Sequence, residues 1–232
     1  MIPYLRKSQL LDYINERGVA YISELSEKFQ VSLSTVRRDL SELELEGKVS
    51  LLRGGAARLT NEVHDESVSR KRLINKDFKE TIAKKAAALV SVGDTIYIDS
   101  GTTTGAMFKY LRSKKVTIVT SALPDIDEVR KGKYNVIFLG GELLPELESV
   151  VGTLTEKLLS GIYFEKAFIG ASAYCELQGV FTFDVREARK KELVKEHSKE
   201  VYLLADTTKA NKIAFCKAFD LSECTLIDET MQ

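Results

Sequence analysis

Residues 31–43 read VSLSTVRRDLSEL, and the fold of the N-terminal part of the chain can be predicted from them. Val36, Leu40 and Leu43 have the spacing of one apolar face of an α-helix. The opposite face is polar and carries Ser34, Arg37, Arg38 and Ser41. Ser32 can cap the helix by accepting a hydrogen bond from a first-turn backbone N–H, and Gly47 can end it in a left-handed conformation. The stretch therefore predicts an amphipathic helix with a defined beginning and end.

A shorter amphipathic helix is predicted just before this one, over residues 21–29. Ile22, Leu25 and Phe29 share its apolar face, and only residues 30–32 separate the two helices. This is the layout of a helix-turn-helix, whose second helix lies in the major groove of DNA. An ordinary amphipathic surface helix is the alternative for the second helix taken alone, and the helix before it makes DNA reading the better interpretation.

Further elements extend this unit to residue 60. A first helix over residues 7–17 supports the other two, and Gly18 ends it. Residues 48–59 contain short apolar runs broken by Gly54-Gly55, which predicts a hairpin, or wing. DNA contacts are expected from polar side chains of the reading helix and the wing: Ser32, Ser34, Thr35, Arg37, Arg38, Ser41, Arg53 and Arg58.

Composition excludes several classes of protein. The 232 residues are 44% hydrophobic with a net charge of zero, and no uncharged apolar run is long enough to span a membrane. The start of the chain lacks the apolar core of a secretory signal, so a cytoplasmic protein is expected. The three cysteines form no C-x-x-C pair, and the two histidines lie in no H-E-x-x-H or nucleophile-elbow pattern. We predict no metal site and no cofactor.

From about residue 77 the pattern alternates between helices and strands. Strands are predicted at residues 95–99, 117–120, 136–139, 167–169, 201–205 and 225–227, with helices at 79–91, 103–111 and 185–197. Apolar strands interleaved with helices indicate an open, largely parallel sheet that binds ligands beyond the carboxyl ends of its strands. Residues 61–76 are polar and predict a linker between the two domains, for which a helix and an irregular segment are both open. Within it, Arg70-Lys71-Arg72 is more typical of a solvated face than of a DNA contact.

Polar turns follow three of the predicted strands. The run D-S-G-T-T-T at residues 99–104 offers backbone N–H groups, hydroxyls and a helix N-terminus to a phosphate. Gly140-Gly141 follows the third strand, and D-T-T-K at residues 206–209 adds a lysine, which binds phosphate as a point charge. Each turn taken alone is also compatible with a plain connection between a strand and a helix.

The N-terminal pattern V-S-x-x-T-V-R-R-D-L-x-x-L-E-x-x-G-K-V, followed by R-G-G-A, resembles the DNA-binding module of the DeoR family of bacterial transcriptional repressors. The wing departs from that family, because Leu51 stands where an arginine is usual and Arg53 where a histidine is usual. The runs D-S-G-T-T, G-G-E, F-I-G-A-S, G-V-F-T-F-D and A-D-T-T-K then follow in the order of the DeoR sensor domain, similar in fold to ribose-phosphate isomerase and glucosamine-phosphate deaminase.

The resemblance implies an α/β protein with a winged helix-turn-helix at residues 1–60 and a Rossmann-like, isomerase-type open parallel-sheet sensor domain at 77–232. A phosphorylated sugar or related metabolite would be the effector of the sensor. The residues expected to bind it are Asp99, Ser100, Gly101, Thr102, Thr103, Thr104, Gly140, Gly141, Asp184, Lys191 and Lys209.

Two functions from different classes follow from these patterns. The first is a repressor of a carbohydrate-metabolism operon that binds double-stranded operator DNA as a homo-oligomer, a dimer or tetramer, because operators mirror protein symmetry. The alternative is a sugar-phosphate isomerase or deaminase-like enzyme with an N-terminal helical appendage, in which Asp99, Asp184, Glu187 and Lys191 supply acid–base chemistry. The repressor is the better interpretation, because a shared fold does not transfer an activity.

Overall fold

A computed structural model describes residues 3–45, 48–52, 54–59, 68–123 and 126–231 of the chain. The chain divides into two compact units, residues 1–64 and 65–232. Each unit has its own hydrophobic core. Within the described ranges, no helix combines the length and the apolar character that a membrane span requires.

The described residues of the first unit form three helices and three short strands: α1 (Pro3–Arg17), β1 (Val19–Tyr21), α2 (Ile22–Phe29), α3 (Leu33–Leu45), β2 (Val49–Leu52) and β3 (Ala56–Leu59). Strand β3 pairs antiparallel with both β1 and β2. The predicted helix-turn-helix and wing are therefore confirmed, and β1 is an addition that the sequence pattern did not predict. Val36, Leu40 and Leu43 are buried together with Leu10 and Ile14 of α1, as the apolar spacing requires.

The turn between α2 and α3 is held by local hydrogen bonds. Gln30 ends α2 in the left-handed region at a φ of 50°. The Ser26 hydroxyl donates to the Val31 carbonyl at 2.6 Å. The Thr35 backbone N–H donates to the Ser32 hydroxyl at 3.2 Å, which confirms the predicted cap of α3. The predicted helix end at Gly47 lies outside the described residues.

The second unit is a three-layer α/β fold. Its elements, in chain order, are α4 (Val68–Leu73), α5 (Lys76–Ala88), β4 (Thr95–Ile98), α6 (Thr102–Gly105), α7 (Phe108–Leu111), β5 (Thr117–Thr120), α8 (Ile126–Arg130), β6 (Asn135–Phe138), β7 (Glu142–Leu144), β8 (Ser149–Val151), α9 (Thr153–Leu159), β9 (Phe164–Gly170), β10 (Ala173–Cys175), β11 (Gly179–Thr182), α10 (Val185–Glu196), β12 (Ser198–Leu204), β13 (Cys216–Phe219) and β14 (Thr225–Ile227). Six strands form one parallel sheet in the order β14-β12-β9-β4-β5-β6. The predicted fold class is confirmed.

Both faces of the parallel sheet are covered. Successive residues of β4 alternate between two apolar clusters, with Ile96 and Ile98 in one and Tyr97 in the other. Helices α5 and α7 contribute to the first cluster, and α9 and α10 contribute to the second. The carboxyl ends of the strands therefore remain as the edge where a ligand can enter.

Several features differ from the sequence predictions. The helix predicted over residues 103–111 is two separate turns, α6 and α7, because Thr104 donates its hydroxyl to the Asp99 and Gly101 carbonyls and Gly105 follows. The hairpin β7–β8 and the small antiparallel sheet β10-β11-β13 were not predicted. For the predicted linker, where a helix and an irregular segment were both open, residues 68–73 form helix α4, and its Val68 is buried in the second unit.

Candidate functional site

Helix α3 presents both of its arginines to solvent. Arg37 and Arg38 are exposed, and 83% of the Arg38 side chain is accessible. The Arg38 guanidinium lies 3.3 Å from the Glu42 carboxylate one turn further along the helix. An exposed pair of this kind contributes little to stability, so it does not prevent Arg38 from turning to a nucleic acid. Ser41 is exposed on the next turn.

Hydroxyl groups cluster where α3 begins. The Ser32 hydroxyl lies 2.8 Å from the hydroxyls of both Ser34 and Thr35. These groups can donate to phosphate oxygens as readily as to one another. Arg58 is exposed on β3, whereas Arg53 lies outside the described residues. The structure thus places the hydroxyls and the two arginines of the predicted reading helix on exposed parts of one element.

Asp39, between the arginines and Leu40, has a different role. Its carboxylate is buried and accepts two hydrogen bonds from Arg6 of α1, at 2.5 and 3.0 Å. Hydrogen bonding to Asp39 raises the pKa of Arg6. Lys7 of α1 also pairs with Glu42 at 2.5 Å, and its hydrogen bond lowers the pKa of that carboxyl. These contacts fix α3 against α1, so Arg37 and Arg38 project from a firmly held helix.

A pocket lies at the carboxyl ends of β4 and β9 in the second unit. Seven of the residues predicted to bind an effector line it: Asp99, Ser100, Gly101, Thr102, Thr103, Lys191 and Lys209. Gly170, the last residue of β9, lines the same pocket together with Ala171 and Ser172, which follow it. A Cβ atom on Gly101 would lie 3.8 Å from the Gly170 Cα, so the two strand ends approach closely. The pocket thus lies at the carboxyl edge of the parallel sheet, where the sequence predicted a ligand site.

Asp99 is the central buried anion of the pocket. Its carboxylate accepts a hydrogen bond from the Gly170 backbone N–H at 3.0 Å and another from the Lys191 ammonium. The Lys191 ammonium also lies 3.4 Å from the Glu187 carboxylate. Burial lowers the pKa of Lys191, but the charges of Asp99 and Glu187 outweigh burial and raise it overall. Lys191 is therefore a protonated, well-positioned donor.

Behind this pair lies a second buried ion pair. The Lys190 ammonium is 2.6 Å from the Glu187 carboxylate and donates to the Ser149 hydroxyl at 2.7 Å. Ser149 in turn donates to Glu187 at 2.6 Å. Burial raises the pKa of Glu187, yet the charges of Lys190 and Lys191 outweigh it and leave the pKa well below its usual value. The hairpin β7–β8 is thereby tied to α10 and to the pocket.

Lys209 is a pocket cation with a lowered pKa. Its ammonium donates to the Ala171 carbonyl at 2.6 Å. Burial, together with the smaller effects of the Lys71, Lys79 and Lys191 charges, lowers the pKa of Lys209 to about 8, although the Asp206 carboxylate opposes this shift. A bound anion would remove much of the cost of keeping this lysine charged.

Four residues expected to bind an effector do not line the pocket: Thr104, Gly140, Gly141 and Asp184. The Thr104 hydroxyl is used by backbone carbonyls at 2.8 Å. Gly141 has a φ of +155°, and a Cβ there would lie 2.1 Å from the Thr155 hydroxyl. The close packing at this position therefore leaves no room for a side chain. Asp184 caps α10 by accepting from the Arg186 N–H at 2.8 Å and also pairs with its guanidinium.

The helix after β4 also contributes less than the sequence suggested. Helix α6 is a single turn of four residues, so few peptide dipoles add along its axis. Attraction for an anion must therefore come from lysine charges and from the hydroxyl groups of Ser100, Thr102 and Thr103. Over the described part of the chain, no group of three or more His, Cys, Asp or Glu side chains is placed to hold a metal ion.

Several pocket residues had not been predicted as effector ligands: Lys71, Ser172, Thr182 and Glu187. Glu187 and Lys190 could have been paired from their i, i+3 spacing on a helix. Lys71 belongs to the charged run predicted to be a solvated face; it is half-buried and also lines the pocket. No sequence pattern links Ser149 to α10, because the contact joins residues far apart in the chain.

Comparison with known proteins gives two matches to family models. The DeoR-like helix-turn-helix domain matches residues 6–62, and the DeoR C terminal sensor domain matches residues 74–229. The chain is 32% identical over 223 residues to the "Uncharacterized HTH-type transcriptional regulator FruR" of Bacillus subtilis, covering 96% of this chain and 89% of that protein. It is 32% identical over 231 residues to the lactose phosphotransferase system repressor of Staphylococcus epidermidis, covering 98% and 92%.

A solved structure shares the fold at low sequence identity. It is the crystal structure of eIF2B delta from Chaetomium thermophilum, with a TM-score of 0.50 and 14% identity. The similarity covers 86% of this chain and 64% of that chain. At this identity the likeness concerns the fold alone.

Proposed function

The chain belongs to the DeoR family of transcriptional regulators, and from that premise we propose that it represses genes of sugar metabolism and that a phosphorylated sugar controls its binding to operator DNA. Helix α3 would lie in the major groove, with Arg37 and Arg38 directed to bases or phosphates. The domains would be a DNA-binding module at residues 1–60 and a sensor at 77–232.

The observation that carries the proposal is the cationic, hydroxyl-lined pocket in the second unit. Lys191 and Lys209 enter it from different elements, and Ser100, Thr102 and Thr103 supply hydroxyl donors. Charge-assisted hydrogen bonds from such groups suit the oxygens of a phosphate. The adjoining cavity, of about 540 Å³, is lined by some of the same residues and falls within the size range of small-molecule sites. A phosphate would bind in the pocket and the sugar would extend into this cavity.

The relatives support regulation rather than catalysis. Both are named as regulators of transcription, and one is named after a sugar phosphotransferase system. The groups considered for acid–base chemistry are also engaged with one another, since Asp99 pairs with Lys191 and Glu187 pairs with Lys190. These ion pairs give the pocket a fixed charge pattern, which suits recognition of an anion.

Regulation requires that the effector distinguish two states of the protein. A ligand with equal affinity for the DNA-binding state and the released state would not change the equilibrium between them. Operators usually have the two-fold symmetry of the protein that binds them. We therefore expect a homo-oligomer, a dimer or tetramer, in which the effector favours one assembly or conformation over another.

The proposal is tested with the double variant Thr102→Ala, Lys209→Ala. A thermal-shift screen of hexose and pentose phosphates on the full chain identifies the effector, and fluorescence anisotropy with promoter DNA from the protein's genomic neighbourhood measures operator binding. We expect the double variant to bind DNA like the wild type and to lose the response to the effector. An unchanged response would refute the phosphate pocket.

A further inference from the structure

Helix α4 is a six-residue helix that covers part of the effector pocket. Only residues 60–67 lie between it and the end of β3 in the first unit. It is therefore the first described element of the sensor unit that the chain reaches after the helix-turn-helix unit. Its position in the chain makes it of interest for how the two units communicate.

One side of α4 is turned toward the ligand space. Val68, Lys71 and Arg72 are spaced i, i+3 and i+4, which places them on one helix face. Val68 borders both the pocket and the adjoining cavity, Lys71 borders the pocket, and Arg72 borders the cavity. Val68 is only 7% exposed, so this face is packed against the sensor unit.

Contacts on two sides hold α4 in this place. The Arg72 guanidinium lies 2.5 Å from the carboxylate of Glu148, at the turn before β8. Just beyond the other end of the helix, the Asn75 side chain donates to Asp206 at 3.4 Å and to Thr208 at 3.3 Å. The latter two residues belong to the loop that carries Lys209. Helix α4 and the residue just beyond it are thus tied both to the turn before β8 and to the Lys209 loop.

Lys71 and Lys209 approach the same pocket from different elements. Both line it, and the positive charge of Lys71 acts on Lys209 strongly enough to help lower its pKa. Two cations that face one pocket repel each other when it holds no anion. A phosphate dianion between them would turn this repulsion into attraction on both sides.

We propose that Lys71 is a phosphate-binding residue that acts with Lys209, so that the effector binds directly to α4, the helix that continues into the connection to the DNA-binding unit. The proposal rests on the proposed function, because it concerns the same pocket. Effector binding then draws α4 toward the Lys209 loop, and the position of α4 differs between the effector-bound and effector-free states. The regulatory signal leaves the sensor through this helix.

Calorimetric titration of the full chain tests the proposal, with inorganic phosphate and glucose 6-phosphate as probes. Three variants are compared with the wild type: Lys71→Met, Lys209→Met and the control Arg70→Met, which removes a charge from the same helix at a position that does not line the pocket. We expect Lys71→Met and Lys209→Met each to weaken binding of the probe by about tenfold or more, the effect of losing roughly 1.4 kcal/mol. The control should bind like the wild type.

The outcomes distinguish a failure of the proposed role of α4 from a failure of the proposed function. If Lys71→Met binds as tightly as the wild type while Lys209→Met does not, the role of α4 is overturned and the proposed function stands. If the wild type binds neither probe nor any phosphate of the wider screen, the proposed function itself fails.

A measurement on the wild-type protein does not depend on whether the variants fold. Lysine acetylation is followed by mass spectrometry with and without glucose 6-phosphate. Lys71 and Lys209 should both be protected by the probe, whereas Lys76, which is exposed and outside the pocket, should react equally in both samples. Protection of Lys209 without protection of Lys71 would also overturn the proposal.

Discussion

The lowered pKa of Lys209 predicts how effector affinity depends on pH. In the empty pocket this pKa is about 8, mainly because of burial. A phosphate beside the ammonium favours its charged form and so returns the pKa toward its ordinary value of 10.5. Below pH 8 the lysine is protonated with and without ligand, and affinity is independent of this group. Above pH 8 binding must take up a proton, so affinity falls.

The size of the effect follows from proton linkage. With the pKa at about 8 in the empty pocket and near 10.5 in the complex, affinity should fall about tenfold between pH 7 and pH 9. A sugar phosphate loses its second proton near pH 6, so the ligand itself is a dianion throughout this range. The pH dependence of the affinity therefore comes from the protein and not from titration of the ligand.

Calorimetry in buffers of different ionisation enthalpy measures both the affinity and the proton uptake. We expect close to one proton to be taken up per ligand at pH 9 and almost none at pH 7. Lys209→Arg is the matched control, because arginine stays charged and should give an affinity independent of pH. Deprotonation of Lys209 above pH 8 favours the folded state, because burial penalises its charged form. A loss of affinity at pH 9 therefore does not come from unfolding driven by Lys209. Affinity that stays constant from pH 7 to pH 9 in the wild type would show that Lys209 does not take up a proton on binding.

Three further predictions concern other contacts. Arg38→Ala should cost operator binding roughly 1–3 kcal/mol in anisotropy titrations and leave the circular dichroism spectrum unchanged; wild-type affinity would contradict the reading helix. Arg6→Met should leave Asp39 buried without this cation and destabilise the first unit by about 3 kcal/mol in urea unfolding, whereas an unchanged midpoint would show the pair to be dispensable. Ser149→Ala should lower the stability of the second unit by about 1 kcal/mol in urea unfolding, and an unchanged midpoint would argue against its role in supporting the Lys190–Glu187 pair.

The sequence predicted those parts of the fold that follow from local patterns. The apolar spacing of Val36, Leu40 and Leu43 is the core face of α3, and the buried runs of the second half are the strands of the parallel sheet. Their order along the chain also placed the run beginning at Asp99 at the carboxyl edge, where the pocket lies. Periodicity and strand polarity are properties of short segments, so they can be read without knowledge of the tertiary structure.

The differences from the sequence predictions have the opposite origin. The resemblance implied that Gly140-Gly141 binds an effector, but the pair does not line the pocket and the close approach of Thr155 explains Gly141. Lys71 stands in a run of charges that is typical of a solvated face, yet it is half-buried and lines the pocket together with Lys209. Ser149 joins α10 from a hairpin that had not been predicted. Each case depends on contacts between distant segments, which a single sequence does not contain.

Charge at the pocket favours a dianionic ligand over a neutral one. Lys71, Lys191 and Lys209 line the pocket from three different segments, and burial together with neighbouring lysine charges lowers the pKa of Lys209. This shift expresses the cost of keeping the Lys209 ammonium charged when no anion is bound. A phosphate dianion reduces that cost, so it should stabilise the sensor far more than the corresponding neutral sugar.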